Sequence, residues 1–128
     1  HRQYYKDTGK LFKAHNLNPT AACILLTIND NSHINQNQVA KSLVIDKGLA
    51  TREIKKMQEL GYLTKTPGNG KAIILNLTDA GQKVIPIIQK IRKNWWEARF
   101  SETGIQPDSP LVSAIETVVD SIVDESLE

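Results

Sequence analysis

Cysteine and histidine are scarce in this chain, and their scarcity narrows the chemistry it can perform. The 128 residues include one cysteine and three histidines. Cys23 has no partner for an internal disulfide, which is typical of a reducing, cytoplasmic compartment. The histidines are scattered, so the spacing of a metal site is missing. Phosphate-binding loops and nucleophile–base arrangements are missing too, and we therefore expect neither an enzyme nor a cofactor.

Long apolar runs are missing as well. No segment approaches the ~18 consecutive apolar residues that cross a bilayer, and no secretory signal is visible. We therefore expect no membrane partner. A chain of this length can bury a hydrophobic core that is stable without disulfide bonds or bound metal ions, so we expect residues 1–128 to form a single domain.

Basic residues are absent from the C-terminal segment. Residues 101–128 hold seven acids and no Lys or Arg, whereas residues 33–76 hold seven Lys or Arg and three acids. The net charge of +2 therefore hides a basic middle and an acidic end. This asymmetry indicates that one face approaches a polyanion, although ordinary solvated helix faces can produce the same pattern.

Capping signals divide the chain into helices. An amphipathic pattern predicts a first helix over residues 1–15, and the nearly all-apolar residues 21–28 predict a buried second helix. Two more helices are predicted over 35–43 and 46–60, the latter ended by Gly61. The residues that precede the predicted helices and suit a helix N-terminus are Asn18, Asn35, Asp46 and Thr78.

A β-hairpin follows the fourth predicted helix. The β-rich runs 62–66 and 72–77 flank Pro67-Gly68-Asn69-Gly70, and an Asn-Gly pair between such runs predicts a hairpin. Ile34 is predicted to be a short strand position. The order of strand, two helices and hairpin predicts a winged helix-turn-helix, a mainly α fold with a small β-hairpin wing.

The chain ends in further helical segments. The helix after Thr78 contains Pro86, which should kink it or remove one backbone hydrogen bond. A loop over 101–108 precedes a last apolar helix beginning at Ser109-Pro110. The winged core is too small to cover this helix, so we expect residues 1–16 and 82–128 to form a dimerisation region across a two-fold axis. A helix folded back on its own subunit is the alternative.

The helix over 46–60 carries the residue types that read DNA. Side chains three and four residues apart share one face of a helix, which can enter a major groove. There lysines neutralise phosphates, Arg52 can reach guanine with its planar fork, and Thr51 can contact a thymine methyl group or a phosphate. The candidate contacts on this helix are Lys47, Gly48, Thr51, Arg52 and Lys55.

Two neighbouring segments could add contacts to the DNA backbone. Asn35, Gln36 and Asn37 place short polar groups and free amides at a helix N-terminus, which suits phosphate binding. At the hairpin tip, Asn69 and Lys71 could touch an adjacent minor groove. We therefore predict a nucleic-acid surface built from both helices and the hairpin.

The ordered set of motifs resembles the MarR family of bacterial transcriptional regulators over residues 17–81. The matching segments are Leu17-Asn18-Pro19, residues 35–43, residues 45–52, Leu60-Gly61-Tyr62-Leu63 and residues 77–81. The resemblance implies a homodimer, joined by its terminal helices, that binds a pseudo-palindromic operator and represses transcription. It also implies release by a small, often aromatic, effector, for which Phe12, His15 and Thr27 are the candidate pocket residues.

The hairpin departs from the family pattern. The family's wing usually carries an Asp and two Arg in a longer loop, whereas residues 68–71 are shorter and less basic. We therefore expect Lys71 to add phosphate affinity rather than base specificity.

Some alternatives stay open at this point. A winged-helix module that binds protein or RNA would share the same pattern. Arg52 could pair with Glu53 on the helix surface instead of meeting DNA. Cys23 could act as an oxidation sensor, as in some family members, although its apolar helix favours an inert core residue. The Trp95-Trp96 pair is interpreted as dimer packing.

Overall fold

In a computed structural model, the protein is described over residues 2–104, 110, 113–115, 117 and 118. The mainly α architecture with one β-hairpin confirms the predicted fold class. The elements, in chain order, are α1 (Arg2–Lys13), α2 (Pro19–Asp30), α3 (Gln36–Leu43), α4 (Lys47–Glu59), β1 (Leu63–Pro67), β2 (Ile73–Leu77) and α5 (Asp79–Thr103).

Side-chain caps start four of these helices, and all four predicted caps are confirmed. The side chains of Asn18, Asp46 and Thr78 each accept hydrogen bonds from backbone N–H groups of the first turn. Asn35 forms a reciprocal capping box with Gln38, in which both hydrogen bonds measure 2.9 Å. Each cap satisfies an otherwise unpaired N–H group and stabilises its helix by about 1 kcal/mol.

The two strands form an antiparallel hairpin. Five residue pairs run from Leu63 opposite Leu77 to Pro67 opposite Ile73. The loop of residues 68–72 is closed by a hydrogen bond of 2.9 Å between its first N–H and its last carbonyl. The predicted hairpin is confirmed, with β1 displaced by one residue towards the C-terminus.

The short strand predicted at Ile34 is reduced to a single bridge. Asn35, rather than Ile34, is the bridging residue, and its partner is Ile74 on β2. The carbonyl of Ile34 accepts a hydrogen bond of 3.0 Å from Leu75. Helix α3 starts directly after this bridge, so no room is left for a longer strand.

Helix α2 lies at the centre of the molecule and contacts all four other helices and β2. The predicted burial of α2 is confirmed, since seven of its twelve residues are buried. On α4, the face formed by Ala50, Ile54 and Met57 is buried against this core. No helix in the described ranges combines the length and apolar character needed to cross a bilayer.

Gly81 lets α5 cross the base of the hairpin. A Cβ atom at this position would lie 2.1 Å from the backbone oxygen of Tyr62. The side chain of Thr78 donates a hydrogen bond to the carbonyl of Gly61, which ties the start of α5 to the end of α4. This close approach fixes the hairpin relative to α5.

The long helix α5 is continuous through Pro86 and ends at Gly104, whose φ of 76° is left-handed. The prediction that a loop begins at residue 101 is therefore wrong, because the helix holds for three more residues. The predicted helix from Ser109-Pro110 lies mostly outside the described residues. The residues described within it are 110, 113–115, 117 and 118, and they are helical.

Candidate nucleic-acid interface

The outward face of α4 carries every residue predicted to contact DNA from this helix. Its opposite face is held in the core by buried apolar side chains. Because the helical period is 3.6 residues, the α4 residues on the side opposite to these buried side chains point away from the core. The exposed residues of this face, which we call the α4 face, are Lys47, Gly48, Thr51, Arg52, Lys55 and Lys56.

The cations of the α4 face have no carboxylate partner in the part of the chain that the structure describes. Its three ion pairs, Lys93–Glu97, Arg99–Asp7 and Arg99–Glu102, all lie on α1 and α5. The alternative pairing of Arg52 with Glu53 is not found. Instead, both carboxylate oxygens of Glu53 accept from Asn18 Nδ2 at 3.2 Å, which joins α4 to α2.

Thr51 is already engaged by two hydrogen bonds within the protein. Its hydroxyl donates to the carbonyl of Lys47 at 2.8 Å and accepts from Gln36 Nε2 at 2.8 Å. A hydroxyl has one proton, so Thr51 cannot donate to a phosphate while this geometry holds. Of its two predicted contacts, a contact with a thymine methyl group is still compatible with this geometry, because it would use the methyl group of Thr51 rather than its hydroxyl.

The first turn of α4 brings Asp46, Gly48 and Arg52 together. The carboxylate of Asp46 accepts from the backbone of Gly48 at 3.1 Å and of Leu49 at 3.2 Å. A Cβ atom at position 48 would lie 3.3 Å from Asp46 Oδ2 and 3.5 Å from Arg52 Nη1. Gly48 therefore leaves space beside the first turn, and the guanidinium of Arg52 lies next to that space.

A groove between α3 and the hairpin joins two segments that are far apart in sequence. We call it the α3–hairpin groove, and its lining residues are Asn35, Gln36, Asn37, Lys71, Ala72 and Ile73. The predicted phosphate-binding residues of α3 thus share one surface with Lys71. Asn69 does not line this groove. It lines a neighbouring cavity with His33 and Thr64, and this cavity shares Asn35 and Ala72 with the groove.

The side-chain oxygen of Asn35 is used by the fold. It accepts from the backbone N–H of Gln38, whose own side chain accepts from the backbone N–H of Asn35. Only the side-chain NH₂ of Asn35 is left for a ligand. Asn35 is therefore primarily a helix cap. Gln36, whose Nε2 donates to Thr51, and Asn37 also line the groove.

The predicted effector residues lie around α1 and α2. Phe12 is fully buried in the core. The carbonyl of His15 accepts from the Tyr62 hydroxyl at 2.8 Å, and the Thr27 hydroxyl donates to the carbonyl of Cys23 at 2.8 Å. None of these three predicted residues lines the α3–hairpin groove or the neighbouring cavity at His33 and Thr64.

Cys23 is a free thiol, half-buried on α2. Burial raises the pKa of this thiol, and the positive charge of Arg92 on α5 acts in the opposite direction. No basic residue is near Cys23 in sequence, so the approach of Arg92 had no sequence signal. Because burial outweighs the charge, the thiol form is favoured at neutral pH, which supports the inert interpretation.

Two helices joined by a tight turn, with a hairpin packed beside them, define a winged helix-turn-helix protein. The model of the MarR family matches residues 15–72. The HTH-type transcriptional regulator BilQ of Clostridioides difficile (strain CD3) is 31% identical over 99 residues, which cover 73% of this chain and 67% of BilQ. The chain therefore belongs to the MarR family, as the motifs indicated, and is a transcriptional regulator rather than an enzyme.

Solved structures show the same fold. A SlyA-like transcription regulator from Listeria monocytogenes is 26% identical with a TM-score of 0.79, and the match covers 98% of this chain and 85% of that one. A MarR family regulator from Listeria monocytogenes, solved in complex with a 26mer DNA, is 24% identical with a TM-score of 0.76 and the same coverage.

Proposed function

We propose that this MarR-family regulator is a cytoplasmic homodimer that binds a pseudo-palindromic operator in duplex DNA and represses transcription. Helix α4 enters the major groove, and α3 and the hairpin contact the flanking backbone. The observation that carries the proposal is the α4 face, on which four exposed cations lie without a carboxylate partner among the described residues. The similar fold of a family member solved with DNA supports it.

On the α4 face, two residues read bases. Arg52 is exposed and close to the space left by Gly48, so its planar fork can pair with guanine O6 and N7. The methyl group of Thr51 meets a thymine methyl group, because its hydroxyl is held by Lys47 and Gln36. One bidentate arginine–guanine pair contributes about 1–3 kcal/mol of discrimination against other bases.

The α3–hairpin groove holds a phosphate of the backbone. Free N–H groups at the start of α3 lie beside Gln36 and Asn37, and Lys71 adds a positive charge from the hairpin. Helix N-termini carry partial positive charge and favour anions. This contact orients the protein on DNA and is independent of base sequence.

Exposed apolar side chains support the dimerisation region predicted over residues 1–16 and 82–128. Leu11, Trp96, Ile115 and Val118 are 53%, 49%, 55% and 59% exposed. Trp95 is different, because it packs against Tyr4 within the same chain with ring centroids 5.1 Å apart. The interpretation of the tryptophan pair as dimer packing therefore applies to Trp96.

Release by a small aromatic effector at Phe12, His15 and Thr27 is part of the proposal. Because Phe12 is fully buried, the core around α1 must open to admit a ligand. An effector would then compete with the hydrogen bond from Tyr62 to His15, which links α1 to the end of α4. Benzoate is a suitable first probe, and a release of bound duplex would support this step.

Selection of bound duplexes from a random library tests the function. We expect a symmetric consensus whose half-sites are about one helical turn apart. We also expect duplex affinity to fall steeply with added salt, since phosphate neutralisation releases counterions. Failure to enrich any duplex, with retention of single-stranded RNA or of a protein, would favour the alternative of a winged-helix interaction module.

A further inference from the structure

Val44 has an unusual backbone for its residue type. It ends α3 with φ 54° and ψ 47°, in the left-handed region. β-Branched residues rarely adopt this conformation, because Cβ crowds the following carbonyl oxygen. Glycine or asparagine would relieve the strain at this position.

The side chain of Val44 is also 90% exposed, the highest value among the large apolar side chains of the described residues. An apolar group in water contributes nothing to the core. Folding therefore gives no reason for valine at this turn, since its backbone is strained and its side chain is unburied. An external contact for the isopropyl group would supply one.

The surroundings of Val44 indicate which partner makes that contact. It lies in a shallow cavity lined by Asn37, Ala40, Lys41, Val44, Ile45 and Lys47. Asn37 and Lys47 belong to the candidate nucleic-acid interface, so the cavity is continuous with that surface. Lys41 is exposed and adds a second cation beside the apolar group.

We propose that Lys41, Val44 and Lys47 form a further DNA-backbone site, which we call the turn site. The isopropyl group of Val44 packs on a deoxyribose, and the two lysines neutralise the phosphates on either side of that sugar. In a DNA backbone, an apolar sugar lies between two anionic phosphates, which matches this arrangement. A purely apolar protein surface could contact Val44 but would leave the two lysines without an anionic partner. The site rests on the proposed function and extends it to Lys41 and Val44.

Substitution of Val44 separates the contact from the strain. We expect Val44→Asn to raise the midpoint of thermal unfolding, because asparagine tolerates the left-handed backbone. The same variant should bind duplex DNA about fivefold more weakly, since an apolar contact is lost. Val44→Ile, which keeps the apolar group and the strain, should retain the parent's affinity.

The probes are two duplexes of about 30 base pairs, long enough for two half-sites. One carries the consensus selected from the library and the other a random sequence. Because a sugar contact reads no bases, Val44→Asn should weaken binding to both by the same factor. Lys41→Ala should do likewise and lower the salt slope by about 0.9, the loss of one phosphate contact.

Matched controls lie outside the turn site and outside the proposed dimerisation region. His33, between α2 and α3, is exposed and left-handed with φ 62°, so His33→Gly changes a comparable turn. Lys65→Ala removes a lysine of β1 that lines neither the α3–hairpin groove nor the cavity at Val44. Both controls should leave duplex affinity unchanged.

Several results would overturn the turn site. Parent-like affinity of Val44→Asn for both duplexes would exclude the DNA contact and leave a protein partner. If Val44→Asn lost affinity for the consensus duplex alone, Val44 would contact a base. If light scattering showed an altered mass for this variant, Val44 would contact the dimer partner.

A lower unfolding midpoint of Val44→Asn would remove the strain argument. A parent that binds neither duplex would overturn the proposed function itself, which distinguishes the two failures.

Discussion

The α1–α5 contact and the α4 face both carry charged side chains, but they use them differently. Between α1 and α5, Asp7 accepts from Trp95 Nε1 at 2.9 Å and pairs with Arg99 at 3.3 Å. Arg99 also lies 5.1 Å from the centroid of the Trp95 ring and pairs with Glu102. These charges are paired inside the chain and orient the two helices, although the Nε atom of Arg99 is buried without a hydrogen-bond partner.

The cations of the α4 face have no carboxylate partner among the described residues. Arg52 stands three and four residues before Lys55 and Lys56, and like charges at such spacings destabilise a helix by a few tenths of a kcal/mol. A polyanion would convert this repulsion into attraction. Charge paired inside a protein positions its elements, whereas charge left unpaired on one face is available to a partner.

The largest expected effect concerns Gly81, where the start of α5 packs against the backbone just after α4. Gly81→Ala would place a Cβ atom 2.1 Å from the carbonyl oxygen of Tyr62. We expect a loss of about 3 kcal/mol in the free energy of unfolding, measured by urea denaturation, because backbone must move. Gly9→Ala is the control: it meets nothing within 4 Å inside α1, and should gain about 0.5–1 kcal/mol. Equal effects of the two variants would contradict the close approach.

Arg52→Ala tests whether the unpaired charge of α4 acts on DNA. We expect affinity for the selected duplex to fall by about 2 kcal/mol, roughly thirtyfold. Stability should change by less than about 0.5 kcal/mol, since Arg52 is exposed. Fluorescence anisotropy measures the first quantity and thermal unfolding the second. Arg52→Lys should keep binding to random duplexes but lose preference for the consensus; unaltered preference would exclude guanine readout.

Lys71→Ala tests the weaker contribution of the hairpin. We expect affinity to fall severalfold on every duplex, with the salt slope lowered by about 0.9, because one phosphate contact is lost. Lys65 on β1 does not line the α3–hairpin groove, so Lys65→Ala is the control. A shift in the sequence preference of Lys71→Ala would show that the hairpin reads bases after all.

The smallest expected effect concerns Asp7, in the α1–α5 contact. The hydrogen bond from Trp95 is the main cause that lowers the pKa of this carboxyl below its ordinary value of 3.8. Since the folded state has the lower pKa, Asp7 stabilises the fold above pH 3.8 and loses this contribution as the pH falls through the folded pKa.

Asp7→Asn should therefore lower the unfolding midpoint at neutral pH, and the difference from the parent should vanish in acid. Trp95→Phe removes the donor while keeping an aromatic ring, and should reduce the same pH dependence. A constant difference between Asp7→Asn and the parent at all pH values would show that the charge of Asp7 is not involved.

Local signals in the sequence were enough for the helix starts, the hairpin and the exposed stripe of α4. Caps such as Asn18 and Asp46 act within three residues, and the burial of α4 follows the helical period. Arg52 and Lys55 could therefore be placed on one face without any knowledge of the fold. The end of α5 was missed because Gly104, rather than the polar run before it, stops the helix.

Only the tertiary structure decided which distant residues meet. It places Lys71 beside Gln36 and Asn37, brings Arg92 towards Cys23, and turns Glu53 to Asn18 rather than to its neighbour Arg52. Such contacts depend on the angles at which the helices cross and on the space that neighbouring side chains leave. No periodicity or cap encodes that geometry, because it arises from the whole core closing at once.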